Sequence, residues 1–522
     1  MKRIIYFIAG ILLLASCSDF LDRNPLSEIA NENFWNTETD ATAALTGCYS
    51  GWFYIDDIIY LDCVSDNSYN PFSWEGYQVQ ATGLATPADY GYSYFDFTTI
   101  VRCNNFLENI DRPEMDEGLR ARYKAEARFL RAWRYFLIVT LYGDAPLFTN
   151  VLNIEEANIP RNPKADVIKF IITELSESAK DLPVSYSGSD AGHVTKGAAL
   201  ALKARMEIFD NQFAACAATC QEIMNLGCYG LVDNYADIFK EAYEHSPEVV
   251  LNVEYEETNY NSWVLGVCPP ASSGGWASLN PTQALVDAYE CIDGKTIEES
   301  EVYDPKEPYQ NRDPRLAATI VYPGAWYDGG YLNPIDPADP TGDYYAPYGR
   351  SKTGYYPRKY VDDPQAFNDI WATGLNGIVI RYAEVLLTYA EAKIESNAID
   401  ESVYTAINTV RQRAGMPEVD RAVYSSQDKL RELIRRERRS ELALEGIRWF
   451  DVCRWKIGEK VMPGPVYGAL LGTVDPDTGA LGLTDERIYV ETRVFDPAKN
   501  YLWPIPQSII DAAPAIAQNP GY

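Results

Sequence analysis

Glu126-Ala-Arg-Phe-Leu-Arg-Ala-Trp-Arg-Tyr-Phe136, continuing as Leu137-Ile-Val-Thr-Leu-Tyr142 and closing on Gly143-Asp-Ala-Pro146, decides the fold class. From Leu119 onward Phe129, Trp133, Phe136, Leu137 and Thr140 recur at helical spacing, while Arg122, Lys124, Glu126 and Arg134 fall elsewhere. Gly and then Pro just past the last turn are ordinary helix stops. The spacing predicts a helix to Tyr142. Further helices are predicted at 39–54, about 165–182 with Pro183 beyond, 195–209, and 213–226 stopped by Gly227. Helix, short turn and helix repeat here at roughly the spacing of tetratricopeptide pairs, without their strict repeat residues.

Working outward, residues 228–376 change character. Pro, Gly, Tyr, Asn and Asp dominate, with short β-like pieces such as Val249-Val-Leu-Asn-Val253. Irregular stretches this long inside a compact protein are usually functional. Helices return at about 378–396, 401–414 and 429–445, residues 463–501 read as a hairpin region, and a Pro-rich tail follows. The fold class expected is mainly α, with tetratricopeptide-like helical pairs framing an irregular, loop-rich binding part that carries short β pieces.

At the other end, Lys2 and Arg3 precede an apolar run, Ile4 to Leu14, that closes on Leu14-Ala-Ser-Cys17. A charged head, a short apolar core and small residues describe a secretory signal peptide. The run is shorter than the roughly 20 residues that span a bilayer. The Cys after Leu-Ala-Ser looks like a bacterial lipobox, in which Cys17 receives lipid and anchors an otherwise soluble chain. The expected organisation is 1–16 signal peptide, 17–38 lipidated tether, 39–227 helical region, 228–376 irregular ligand-binding region, and 377–522 C-terminal helical region with a clasp.

Composition excludes several functions. The 522 residues carry a net charge of −30, which disfavours nucleic acid, because binding it means neutralising phosphates. His193 and His245 are the two histidines, so a zinc site built on several His ligands cannot be assembled. Both sit in loop-like sequence and read as surface residues. With Cys17 set aside, nine of the ten cysteines remain. No C-x-x-C pair occurs, and most are expected to be small buried hydrophobes. The positive signal is aromatic: 38 Tyr and 11 Trp offer flat apolar faces with polar handles.

Several segments, taken in order, resemble one family. They are Phe20-Leu-Asp22 with Pro25; Glu126 to Phe136; Leu141-Tyr-Gly-Asp-Ala-Pro-Leu147; Thr195-Lys-Gly-Ala-Ala-Leu-Ala-Leu-Lys-Ala-Arg205; and Asn311-Arg-Asp-Pro-Arg-Leu316. Arg381 to Glu391, Val410 to Pro417, Glu437 to Gly446 with Arg448-Trp-Phe-Asp451, Leu502-Trp-Pro-Ile-Pro506 and Gln518-Asn-Pro-Gly-Tyr522 complete the series. The chain resembles the SusD/RagB family of outer-membrane nutrient-binding lipoproteins. The resemblance implies a lipid-anchored protein, facing the cell exterior, that captures oligosaccharides and delivers them as a hinged lid to a SusC-like TonB-dependent barrel transporter. It also implies no enzymatic activity. A peptide-binding member of the same family is the alternative reading. A glycoside hydrolase would need two carboxylates roughly 5–9.5 Å apart across a cleft, and no segment resembles one.

The ligand site is expected in the irregular parts, where aromatic faces have amide, carboxylate or Arg groups beside them. The candidates are Asp66, Asn67, Trp74, Tyr77, Trp276, Trp326, Tyr327 and Tyr331. Ordinary packing is the competing reading for each. Glu437, Arg438, Arg439, Glu441, Glu445 and Arg448 crowd one helix end. They are either a solvated face, with i,i+4 pairs worth about 0.2–0.5 kcal/mol, or partly buried pairs locking helices together. No cofactor is expected, although two acidic loops bear on calcium. Asp475 to Glu486 has the length of an EF-hand loop, but Gly479 and Ala480 stand where a ligand and the obligatory Gly belong, so a hairpin turn is expected. Asn333, Asp336, Asp339 and Asp343 offer oxygens without a fixed spacing.

Overall fold

The computed structural model describes residues 34–522, apart from 90–92, 154, 341, 346, 347 and 362. The stretch read as a signal peptide, Cys17, and the expected tether up to residue 33 lie outside the described residues. The frame is helical: α1 (Glu38–Tyr49), α2 (Ile55–Cys63), α3 (Thr98–Asn109), α4 (Glu117–Tyr142), α5 (Lys164–Asp181), α6 (Lys196–Phe209), α7 (Phe213–Asn225), α8 (Tyr382–Glu395), α9 (Glu401–Arg413), α10 (Gln427–Glu441) and α11 (Arg448–Trp455). Side chains at the starts fix the boundaries. Thr37 and Asp40 form a capping box at α1, and Asp116, Thr195, Asp400 and Ser426 accept backbone N–H bonds at the starts of α4, α6, α9 and α10.

From α3 each helix packs on the next, α3 on α4, α4 on α5, α5 on α6 and α6 on α7. The row then continues from α7 to α8 and from α8 to α9 and α10. Residues 226–381 are therefore an excursion from an otherwise continuous helical stack. The excursion leaves along β1 (Val249–Val253) and returns along β2 (Gly377–Arg381), and the two strands pair antiparallel. β2 corrects the helix expected from 378. Ile378, Val379 and Ile380 are branched at Cβ and buried on both faces, which suits a strand better than a helix. The helix expected over 39–54 also divides. α1 stops at Tyr49, Gly51 turns the chain at φ +68°, and α2 begins at Ile55. α10 ends at Glu441, four residues early, where Leu444 and Gly446 take positive φ.

α4 is the spine, and it is buried on more than its apolar face. Arg131 pairs with Glu174 of α5, Arg134 with Asp96, and the fully buried Glu126 accepts from Tyr49, Arg122 and His193. His193 is thus corrected from a surface residue to a partly buried one whose Nδ1 lies 2.6 Å from Glu126; His245 is exposed. The hairpin of β3 (Gly464–Val474) and β4 (Leu481–Arg493) stands where expected. Asp475 Oδ1 accepts the backbone N–H groups of Asp477 and Thr478 in its turn. Trp503 crosses to α4, donating its backbone N–H to Leu141 O, and packs on Tyr94 and Tyr142. Among the described residues, no helix is long and apolar enough to cross a membrane.

The charged helix end is buried except for Arg439, which is partly exposed. Arg315 reaches Asp313, Glu437 and Glu441; Arg381 reaches Glu248, Glu441 and Glu445; Lys359 reaches Glu445; and Arg411 reaches Glu290 and Glu437. The network joins the excursion to α10.

Two aspartates of α2 carry no such cation. Asp57 accepts from Tyr94 and the Tyr54 N–H, and Asp62 from Asn67 and the Gly446 N–H. Burial still pushes both carboxyls from 3.8 up to about 7. A raised carboxyl pKa means the folded state holds the proton more tightly than the unfolded chain does. The stability these groups contribute is full below about pH 3.8 and is lost as pH rises through about 7. Thermal melting is expected to fall between about pH 5 and about pH 8, and Asp62→Asn should flatten that slope. A variant slope equal to that of the unchanged protein would contradict this.

Candidate functional site

The excursion, and the loop between α2 and α3 that is hydrogen-bonded to it, present tryptophans that the core does not absorb. Trp74 is 71%, Trp326 58% and Trp276 46% exposed. A single exposed aromatic is ordinary, and what distinguishes these three is their setting. Each of these is braced by a second ring. Trp74 stacks on Phe72 at 4.6 Å, Trp276 meets Trp371 edge-on at 5.2 Å, and Trp326 meets Tyr331 edge-on at 5.1 Å. Bracing fixes an indole plane before any ligand arrives, so less freedom is lost on binding.

The three carriers are tied together. Trp74 sits on a single turn, Ser73–Glu75. Its neighbour Glu75 accepts from Ser278 Oγ and Tyr60 OH, both at 2.9 Å, and from Asn70. Asn70 Nδ2 also donates to Ser278 O at 2.8 Å. Burial raises the Glu75 carboxyl pKa against these three hydrogen bonds, so Glu75 acts as a clamp between the Trp74 and Trp276 segments. Trp276 itself is pinned by its N–H to Gly266 O, and the next two N–H groups go to Pro269 O and Val267 O. Ala277 takes φ +53°, a left-handed conformation uncommon for a residue with a Cβ. Its methyl enters a small separate core with Val321, Ala325, Tyr327, Leu332 and Tyr356. That same core carries Trp326, whose two-residue hairpin turns at Asp328 and Gly329, φ +50° and +89°.

The other expected residues are internal. Asp66 is paired by Arg448, at 2.7 Å, and by Arg439, at 2.9 Å. Burial opposes its ionisation, but the two guanidinium groups outweigh burial and hold its carboxyl at about 2. Asn67 bridges Asp62 and Arg439. Tyr77 is buried and stacked on Tyr60 at 4.7 Å. Tyr327 is buried and donates to Val361 O. These four fasten the loops and present no face to solvent. Tyr331 is half-buried beside Trp326. Sequence reasoning missed Trp371 and Glu75, a lone loop Trp and a lone loop carboxylate with no local pattern to mark them. In the acidic loop, Asn333 donates to Asp339, and Asp343 accepts from Ser272. No group of three potential ligands gathers for a metal among the described residues.

Gly266 tests the bracing. A Cβ there would lie 2.3 Å from Trp371 Cδ2 and Cε3, a distance that forces the ring to move. Gly266→Ala is expected to displace Trp371 and loosen Trp276 without altering any exposed side chain. Trp276 fluorescence and ligand affinity would read it, and unchanged values of both would contradict it.

A helical stack interrupted by a loop-rich excursion with braced surface aromatics is a binding scaffold. The family model described as the SusD family matches residues 238–522, more than half of the chain, and the chain belongs to that family. A second model, described as starch-binding associating with outer membrane, matches residues 19–208. A SusD-like protein of Formosa agariphila is 26% identical over 508 residues, covering 87% of this chain and 90% of that protein. A solved SusD-like carbohydrate binding protein of Bacteroides fragilis is 32% identical, with TM-score 0.83 over 93% of this chain and 100% of that one. A solved laminarin binding SusD-like protein, 22% identical with TM-score 0.72 over 93% of this chain and 100% of that one, shares the fold.

Proposed function

We propose that this protein captures oligosaccharides on Trp74, Trp276 and Trp326 and passes them, with no bond broken, to a TonB-dependent barrel transporter over which it sits as a lid. Cys17, lipidated, would hold it to the outer membrane, facing the exterior. The observation that carries this reading is the set of exposed indoles, each backed by a second ring and mounted on loops clamped to one another. Sugar rings present flat C–H faces to such indoles, and neutral sugars need no counter-charge from a chain of net charge −30. The carbohydrate-binding relative in Bacteroides fragilis supports the ligand class.

Calorimetry of the chain without its leader against neutral plant, host and microbial glycans tests the proposal. Saturable binding is the expected result. A blank panel with folded protein would overturn the glycan reading and favour a peptide ligand.

A further inference from the structure

A cavity of about 540 Å³, lined by none of those tryptophans, lies where the ends of α4, α6 and α11, the start of α5 and the C-terminal clasp meet. Its walls carry Arg161, Lys164, Lys456 and Lys499. Among the described residues, no carboxylate stands at ion-pair distance from any of these four. Most cations buried in this acidic chain meet a carboxylate, and buried Arg312 is answered by three backbone carbonyls; of the four cavity cations, Arg161, Lys164 and Lys499 are half-buried and Lys456 is exposed. Arg454 also lines the cavity, but Glu391 and Asp451 already hold it.

The negative groups nearby are engaged. Asp144 accepts the backbone N–H of Lys164 at 2.8 Å, and Asp210 accepts from Gln212 at 2.8 Å. The ammonium groups rest on aromatic faces instead. Lys164 lies 4.5 Å from the Phe209 centroid, Lys456 4.1 Å from Tyr501 and Lys499 4.3 Å from Tyr522. A ring face attracts the cation but accepts few of its N–H donors, so most remain available. Arg161 is oriented by Ala517 O and Asn519 Oδ1. Burial lowers the Lys164 pKa, and the charge of Lys456 lowers it further. An anion between the two would relieve that repulsion. Lys456 also holds its position at a cost, with φ +52° at the end of α11, a conformation better suited to Gly or Asn.

We propose that this cavity is a second binding site, for an oxyanion group carried by a sugar-sized molecule: a sulfate ester or a uronate. The volume lies in the range of small-ligand sites. Phe209 and Tyr501 supply apolar wall beside the cations. The site shares no residue with the tryptophan set and stands whether or not that set binds glycans.

The test is calorimetry of the full chain at constant ionic strength against a sulfated monosaccharide, glucuronate, glucose, sodium sulfate and inorganic phosphate. The sulfated sugar or the uronate is expected to bind saturably and glucose not at all. Lys164→Met with Lys456→Asn, the Asn chosen because it tolerates the left-handed backbone, should weaken binding at least about tenfold. Trp74→Ala with Trp276→Ala should leave it unchanged. If the lysine variant folds poorly, acylation of Lys164 and Lys456 in the unaltered protein, read by mass spectrometry, should slow when the sulfated sugar is present. Binding by free sulfate or phosphate alone would assign the cavity to the free ion and overturn the sugar-borne ligand. No saturable binding, equal binding by the lysine variant, or acylation indifferent to the sugar would overturn the site itself.

Discussion

Arg381→Met is expected to destabilise the protein by about 3–5 kcal/mol, the usual cost of breaking a buried ion pair from one side. The Arg381 side chain is 1% exposed and reaches Glu248 at 2.9 Å, Glu441 at 2.5 Å and Glu445 at 2.7 Å. It also donates to Glu441 O at 2.7 Å. Methionine fills similar space but answers none of these carboxylates. They would then have to be protonated or solvated inside the fold. Arg413, Arg315 and Lys359 still face the same carboxylates, so the loss should be partial. A typical domain is stable by only about 5–15 kcal/mol, so even a partial loss is large. The residue ends β2, where the excursion rejoins the helical row, so part of the effect should appear as loosening of the binding loops. Denaturant unfolding measures it. Arg421→Met is the control. Its pair with Glu401 lies in water, where screening leaves little to lose, and that variant should keep nearly full stability. An Arg381→Met loss no greater than the control's would contradict the assignment. Adding Glu441→Gln should recover part of the loss, because the network then carries one fewer unanswered charge.

Trp74→Ala and Trp276→Ala form the second large effect, on binding. A central aromatic anchor removed from a small interface typically costs about 2 kcal/mol, roughly 30-fold in Kd. Each single variant should therefore weaken a neutral glycan by about that factor, and the double variant should bring binding near the detection limit. Trp74→Ala should leave folding intact, since its indole is 71% exposed, whereas Trp276 is 46% exposed and packs on Trp371, so circular dichroism should confirm that the Trp276 variant is folded. Tyr77→Phe supplies the contrast. Its ring is stacked on Tyr60 inside the loop, so affinity should hold. Retained affinity in the tryptophan double variant would remove these residues from the site.

Much of the frame was legible because it is written locally. Apolar spacing in α4 to α10 marks one face of each helix, and Gly143, Pro183 and Gly227 mark the stops. The turn at Asp475 to Gly479 follows from residues that make turns with their own backbone. The misses are tertiary overrides. Ile378 to Arg381 reads as the start of a helix until Val249 to Val253 offers it a partner. Asp66, Asn67 and Tyr77 read as a ligand loop until Arg439, Arg448 and Tyr60 are brought to them.

By itself the sequence determined a helical stack with a loop-rich excursion, the family, and the residue types available for binding. Helical period, caps and ordered motifs are properties of neighbours along the chain. Only the tertiary structure decided which aromatics face water and which cations go unanswered. Trp74 and Tyr77 lie three residues apart, yet one is 71% exposed and the other 3%. Arg381 and Lys456 are both cations near helix ends, yet only Arg381 meets carboxylates. Those outcomes depend on which segments return from tens to more than a hundred residues away, and no local spacing carries that information.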